Sequence, residues 1–156
     1  MKPVLYSLLE KEINMNKAFI FGGVSSILAA LLHIATIIGG PDWYRFLGAG
    51  EKFAKLAEEG SWIPGLVTFG VFAVLFTWGL YAFSGAGLIR RLPFLKLALI
   101  VIAAIYSARG LMLFPALFVD LDKVSNLTIW SSLISLSIGV SYAVGTKQVW
   151  SNISRK

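Results

Sequence analysis

Apolar residues run along this chain in four long blocks, about 18–40, 64–87, 94–114 and 127–149, separated by short segments in which Gly, Pro and charge collect. A helix needs roughly 20 residues to cross the hydrocarbon core of a bilayer, and each block is long enough. The pattern predicts an all-α fold, a four-transmembrane-helix bundle. Barrel strands are disfavoured, because they are alternating segments of about 10 residues. The punctuation agrees. Gly39-Gly40-Pro41 closes the first block, Pro64 suits the first turn of the second, and Pro93 and Pro115 bracket the third. The division expected is a cytoplasmic segment 1–17, one membrane domain 18–150 and a tail 151–156.

Between the first two blocks, 42–59 repeats apolar residues at helical spacing. Trp43, Phe46, Leu47, Gly50, Phe53, Ala54 and Ala57 fall on one face, with Arg45, Lys52 and Glu59 pointing away. This predicts an amphipathic helix lying on the outer membrane surface at the mouth of the bundle. Inside the spans, small and weakly polar residues form stripes at 4-3 spacing, the way membrane helices pack closely and hydrogen-bond to one another. The stripes are Gly22, Ser26, Ala29, His33, Thr36 and Gly40 in span one, Gly70, Ala73, Thr77, Leu80, Ser84 and Gly87 in span two, and Thr128, Ser132, Ser135, Gly139, Tyr142 and Thr146 in span four. They are the expected seams. The short 88–96 connection predicts an antiparallel hairpin of spans two and three.

Composition reinforces the membrane reading. Hydrophobic residues make up 57% of the chain and charged residues 14%, against about a quarter charged in soluble domains. The absence of Cys excludes disulfides, thiolate metal sites and Cys nucleophiles. The net charge of +6 would suit nucleic acid, but its distribution has a simpler cause. Nine basic residues (Lys2, Lys11, Lys17, Arg90, Arg91, Lys96, Lys147, Arg155, Lys156) precede span one, join spans two and three or end the chain, whereas four (Arg45, Lys52, Lys55, Lys123) lie in the other loops beside acids. The positive-inside rule then puts both termini and 88–96 in the cytoplasm and 41–62 and 115–126 outside. No nucleic-acid partner is expected. Span one reads as an uncleaved anchor, and residues 1–14 read either as an extension ahead of Met15 or as a short amphipathic segment.

Arg109 is the one charge well inside a span. A guanidinium there costs roughly 2.5 kcal/mol or more unless something meets it. Counting residues from the span centres places His33 and Arg109 at one level, about 6–8 Å outward of the midplane at ~1.5 Å per residue. Thr36, Tyr106, Ser132 and Ser135 share that outer half, and Tyr44 and Glu51 lie on the outer loop. A polar ligand-binding chamber of His33, Glu51, Tyr106, Arg109, Tyr44, Thr36, Ser132 and Ser135 is the expectation, with Glu51, and after it Asp42, as counter-ion to Arg109. The alternatives are a snorkelling Arg109 and a His33 that merely packs against a neighbouring hydroxyl or carbonyl.

Other chemistry finds no motif. G-x-G occurs at 48–50 and 85–87 without the later Gly or a preceding strand. One His and no Cys leave no zinc or haem ligand set, no Ser-His-acid spacing stands out, and no cofactor is expected. The stretch Gly39-Gly40-Pro41-Asp42-Trp43-Tyr44-Arg45-Phe46-Leu47-Gly48-Ala49-Gly50-Glu51, with Ser84-Gly85-Ala86-Gly87-Leu88-Ile89-Arg90-Arg91-Leu92-Pro93, resembles a group of small four-helix bacterial inner-membrane proteins over about 17–150. That resemblance implies a bacterial cytoplasmic membrane and brings no activity. The thiol-dependent quinone reductases are not resembled, since their cysteines are missing.

The functional expectation is a binding or accessory membrane protein whose partners are the bilayer, a lipid or small anionic ligand, and a second copy or another membrane protein. A small transporter, an enzyme acting on a lipid or quinone, and a purely structural subunit are the alternatives. The topology has a direct test. A periplasmic phosphatase fused after Lys156 should be inactive and one inserted within 115–126 active; activity after Lys156 would invert the assignment.

Overall fold

The computed structural model describes residues 16–115 and 125–151. Among them there is no strand, and four helices are long and apolar enough to cross a membrane. These are α1 (Lys17–Gly39), α4 (Ile63–Gly85), α5 (Leu95–Leu111, whose span runs on to Pro115) and α6 (Asn126–Gln148), with two short helices, α2 (Pro41–Phe46) and α3 (Glu51–Glu58), between the first pair. The expectation for 1–14 and most of the 115–126 loop lies outside the described residues.

Asn16 starts α1 and ties it to α6. Its Oδ1 accepts from Phe19 N at 3.1 Å, capping one of the helix's unpaired N–H groups. Its Nδ2 donates to Gln148 Oε1 at 3.0 Å and to the Gly145 carbonyl at 3.4 Å. The start of α1 and the end of α6 therefore share one end of the bundle, called here the terminal end. At the other end α1 stops at Gly39, and Gly40, with φ +69°, turns the chain into Pro41 at the first position of α2.

The capping segment is helical, as its spacing predicts, but in two pieces rather than one. Gly48 and Gly50 have φ of +76° and +97°, which a continuous right-handed helix cannot contain. The break re-aims the faces: Tyr44 and Ala54 are the buried residues of the cap, whereas Phe46 is exposed. Gly48 faces Leu127 at the start of α6, so the cap reaches across the bundle.

Span pairing also differs from expectation. The dense contacts are α1 with α4 and α5 with α6; α4 and α5, joined by the short connection, touch much less. Small residues explain the choice. A Cβ on Gly79 would come 3.1 Å from the Gly23 carbonyl, and a Cβ on Gly139 would come 2.7 Å from Ser107 N. Backbones this close need glycine at the crossing. The two hairpins meet through α1 and α6, where the fully buried Phe19 ring fits against Gly85 on one side and Gly145 on the other.

The seams expected on spans one and four contain the buried Gly22, Ser26 and Thr36, and the buried Ser132, Ser135, Gly139, Tyr142 and Thr146; Thr128 is exposed. On α4 the first three members of the expected stripe are on the wrong face. Pro64, Thr68, Gly79 and Ala82 are buried, while Gly70, Ala73 and Thr77 are exposed; Leu80 is half-buried and Ser84, further along the stripe, is buried. Two residues are about 200° around a helix, so both sets fit the same spacing and only packing distinguishes them. This contrast predicts a difference in stability. Gly139→Ala should cost about 1–3 kcal/mol by overpacking the α5–α6 crossing. Gly70→Ala, whose Cβ meets nothing within 4 Å, should be neutral or slightly stabilising. Equal melting temperatures of the two variants in detergent would contradict the assigned faces.

Candidate functional site

The polar groups of the bundle interior build up from four helices. Tyr106 on α5 donates its hydroxyl to Ser26 Oγ on α1 at 3.0 Å. Tyr142 on α6 donates to the Trp78 carbonyl of α4 at 2.8 Å. Ser26 Oγ and Tyr142 Oη are 3.1 Å apart. Since the one proton of Tyr142 is committed to a carbonyl, which can only accept, Ser26 is the donor between them. The order is Tyr106, Ser26, Tyr142, Trp78 carbonyl, and every proton has a place. The rings pack on one another, Trp78 to Tyr106 at 5.1 Å, Tyr106 to Tyr142 at 5.9 Å and Phe19 to Tyr142 at 6.2 Å between centroids.

Three further buried hydroxyls are bonded within their own helices, whereas Ser84 donates to Arg90 O in the connection to α5 at 3.2 Å. Thr36 donates to Leu32 O at 2.8 Å, Thr146 to Tyr142 O at 2.7 Å and Ser141 to Ile138 O at 2.7 Å. His33 Nδ1 lies 2.7 Å from Ala29 O, and because a carbonyl only accepts, Nδ1 carries the proton. Among the described residues no buried side-chain N or O lacks a partner, as a low-dielectric interior demands.

Two of the candidate residues, Tyr106 and Glu51, are bonded outside the expected set. Tyr106 is buried, but its hydroxyl is taken by Ser26, seven residues or about 10 Å along α1 from His33 at 1.5 Å per residue. Ser132 and Ser135 are buried on α6 and Thr36 on α1, Tyr44 is in the cap against Phe53, and His33 is half-buried. Arg109 is exposed in the last turn of α5, where the helix C-terminus favours a cation.

Glu51 is not the counter-ion of Arg109. Its carboxylate takes two hydrogen bonds from Arg45, Nε to Oε2 at 2.9 Å and Nη2 to Oε1 at 3.0 Å. The remaining Nη1 of Arg45 lies 2.8 Å from Glu58 and 3.5 Å from Asp42. One guanidinium in α2 thus holds both ends of α3, using the planar fork that lysine lacks. The turn at Gly48 and Gly50 makes this possible by folding α3 back toward α2. Arg45, expected to point into water, is the centre of the cap, and its spacing to Glu51 across two positive-φ glycines gives no periodic signal.

Sequence reasoning likewise passed over Ser26 and Tyr142 as site residues although both lie on the stripes. The signal that could have singled them out is a tyrosine on the same seam as a serine.

These features define a multi-pass integral membrane protein with a capped end and a closed polar centre. No family model, curated protein or solved structure matches the chain.

The cap makes a pH prediction. Hydrogen bonds from Arg45, then its charge, hold the Glu51 carboxyl below its ordinary value of 4.5. A lowered folded pKa adds stability that is complete above the unfolded value and is lost as pH falls through the folded one. Amide protection in 42–59 should stay level from neutral pH down to about 4.5 and decline below it. The decline should vanish in Glu51→Gln. The same substitution should couple to Arg45→Gln and be additive with Arg109→Gln; coupling to Arg109 instead would reinstate the inward-facing Glu51.

Proposed function

We propose that this protein is a membrane-embedded binding or accessory protein that neither catalyses a reaction nor conducts protons. Its setting is the bacterial cytoplasmic membrane with both termini in the cytoplasm. The observation that carries the reading is the closed order of the Tyr106–Ser26–Tyr142–Trp78 chain. A proton wire needs a titratable group at its ends and an acceptor that can pass the proton on. Here the last acceptor is a backbone carbonyl, and His33 lies seven residues, or about 10 Å at 1.5 Å per residue, along α1 from Ser26 and is no member of the chain. The chain works as a lock between helices.

Catalysis lacks its parts for the same reason. General acid–base chemistry needs a group within hydrogen-bond reach of a substrate. Glu51 is held by Arg45, and the hydroxyls of Tyr106, Ser26, Tyr142, Thr36, Ser141 and Thr146 bind one another or main-chain carbonyls. What remains for partners is the ends of the bundle, where Arg109 at the capped end and the lysines at the terminal end can meet anionic groups in the two leaflets.

Reconstitution tests this. Proteoliposomes with an internal pH dye and an imposed potassium diffusion potential should acidify no faster than protein-free vesicles. Ser26→Ala should leave that rate unchanged while lowering the melting temperature, since a hydrogen bond between membrane helices contributes about 0.6 kcal/mol and up to ~1.7. A proton flux that Ser26→Ala or Tyr106→Phe abolishes would overturn the proposal.

A further inference from the structure

A groove of about 470 Å³ opens between α5 and α6 toward the terminal end, lined by Ile100, Ala103, Ala143, Thr146, Lys147 and Trp150. Its size falls within the roughly 300–1,000 Å³ of small-ligand sites. The walls are hydrocarbon apart from Thr146, whose hydroxyl is committed to Tyr142 O. The rim differs. Lys147 is exposed at the mouth, and Lys96 Nζ sits 3.7 Å from the centroid of the Trp150 ring, which is itself part of the lining. The Trp150 ring that lines the groove with Lys147 thus also carries the Lys96 ammonium on its face.

We propose that this groove binds an anionic phospholipid of the terminal-end leaflet, with an acyl chain along Ile100, Ala103 and Ala143 and the headgroup phosphate beside Lys147 and Lys96. Three observations favour that occupant. The groove follows the helix axis, since its lining runs from Trp150 to Ala143, seven residues or about 10 Å at 1.5 Å per residue, as a chain descending from the headgroup level requires. Below the Lys147 and Trp150 rim its walls, Ile100, Ala103 and Ala143 with the committed Thr146, present no free hydrogen-bonding group to a polar ligand. Charge is one-sided: the sequence has no Asp or Glu from 60 to 119 or from 123 to 156, whereas Arg90, Arg91, Lys96 and Lys147 fall in those stretches at this end. A partner helix would fill the walls equally well but would give the exposed Lys147 no counterpart.

Trp150 supplies a local reporter. The full-length protein in detergent is titrated with phosphatidylglycerol or phosphatidylcholine carrying brominated acyl chains, and the Trp150 signal is taken as the difference between the wild type and Trp150→Phe. Bromine on the chain quenches an indole only in contact. Phosphatidylglycerol should quench Trp150 at lower concentration, by about fivefold for each lysine at the headgroup. Lys147→Gln should then cut the preference by about fivefold without changing the melting temperature. Ala143→Phe, which fills the groove from an exposed position, should remove the quenching. Equal quenching by the two lipids, or a preference that survives Lys147→Gln, would overturn the anionic assignment. No quenching of Trp150 by either lipid would mean that the chain itself or a partner helix covers the groove, and would overturn the site.

Discussion

Four helices in lipid gain nothing from the hydrophobic effect by touching one another, since the acyl chains are as apolar as their side chains. In this protein the hydrogen-bonded sequence from Tyr106 through Ser26 and Tyr142 to the Trp78 carbonyl takes one group from each of α5, α1, α6 and α4. It is directional from end to end, because the carbonyl fixes Tyr142 as donor and Tyr142 then fixes Ser26. Slipping or rotating any one helix would leave a hydroxyl unpaired where no water is at hand, a penalty larger than the worth of the bond itself. The lock thus sets helix rotation and depth together.

Close packing makes the lock reachable. Gly23 with Gly79 brings α1 onto α4, and Gly110 and Gly139 bring α5 onto α6. Each pair is an antiparallel hairpin with its own tight seam. Phe19, seated between Gly85 and Gly145, then joins the hairpins just toward the terminal end from the hydroxyl chain. Dispersion at these crossings and the hydrogen bonds at the centre support each other: a methyl added at Gly22 would run into the Tyr142 ring, 2.8 Å away, and displace the hydroxyl that Ser26 needs. The cap answers a separate problem. Arg45 draws Asp42, Glu51 and Glu58 together, so three carboxylates at the lipid surface are gathered around one cation.

Much of the fold was legible because lipid imposes a length on every span, and the four blocks met it with Gly and Pro at their ends. The seams of α1 and α6 were legible for a similar reason: Ser26, Gly139 and Tyr142 repeat at helical spacing among larger residues. On α4 the same rule failed. Gly70, Ala73 and Thr77 keep the spacing as well as Thr68, Gly79 and Ala82 do, and with lipid on one side and protein on the other, both apolar, no contrast in polarity tells the faces apart. The candidate site was less legible still. Depth placed Tyr106 beside His33, but depth says nothing about the direction of a hydroxyl, and Tyr106 turns toward Ser26. Glu51 was matched to Arg109 by exclusion, which overlooked a nearer partner brought round by two left-handed glycines.

The claim that the hydroxyl chain acts as one unit is tested most directly by a double-mutant cycle on its two tyrosines, read from reversible unfolding in mixed micelles. Tyr106→Phe and Tyr142→Phe keep the rings and remove only the hydroxyls. If the chain is a unit, each loses about 0.6–1.7 kcal/mol and the double variant loses less than the sum by at least ~0.5 kcal/mol, because Ser26 has lost its place between them after the first change. Losses that add within ~0.3 kcal/mol, or a Tyr142→Phe protein as stable as the wild type, would show that packing alone holds the four helices.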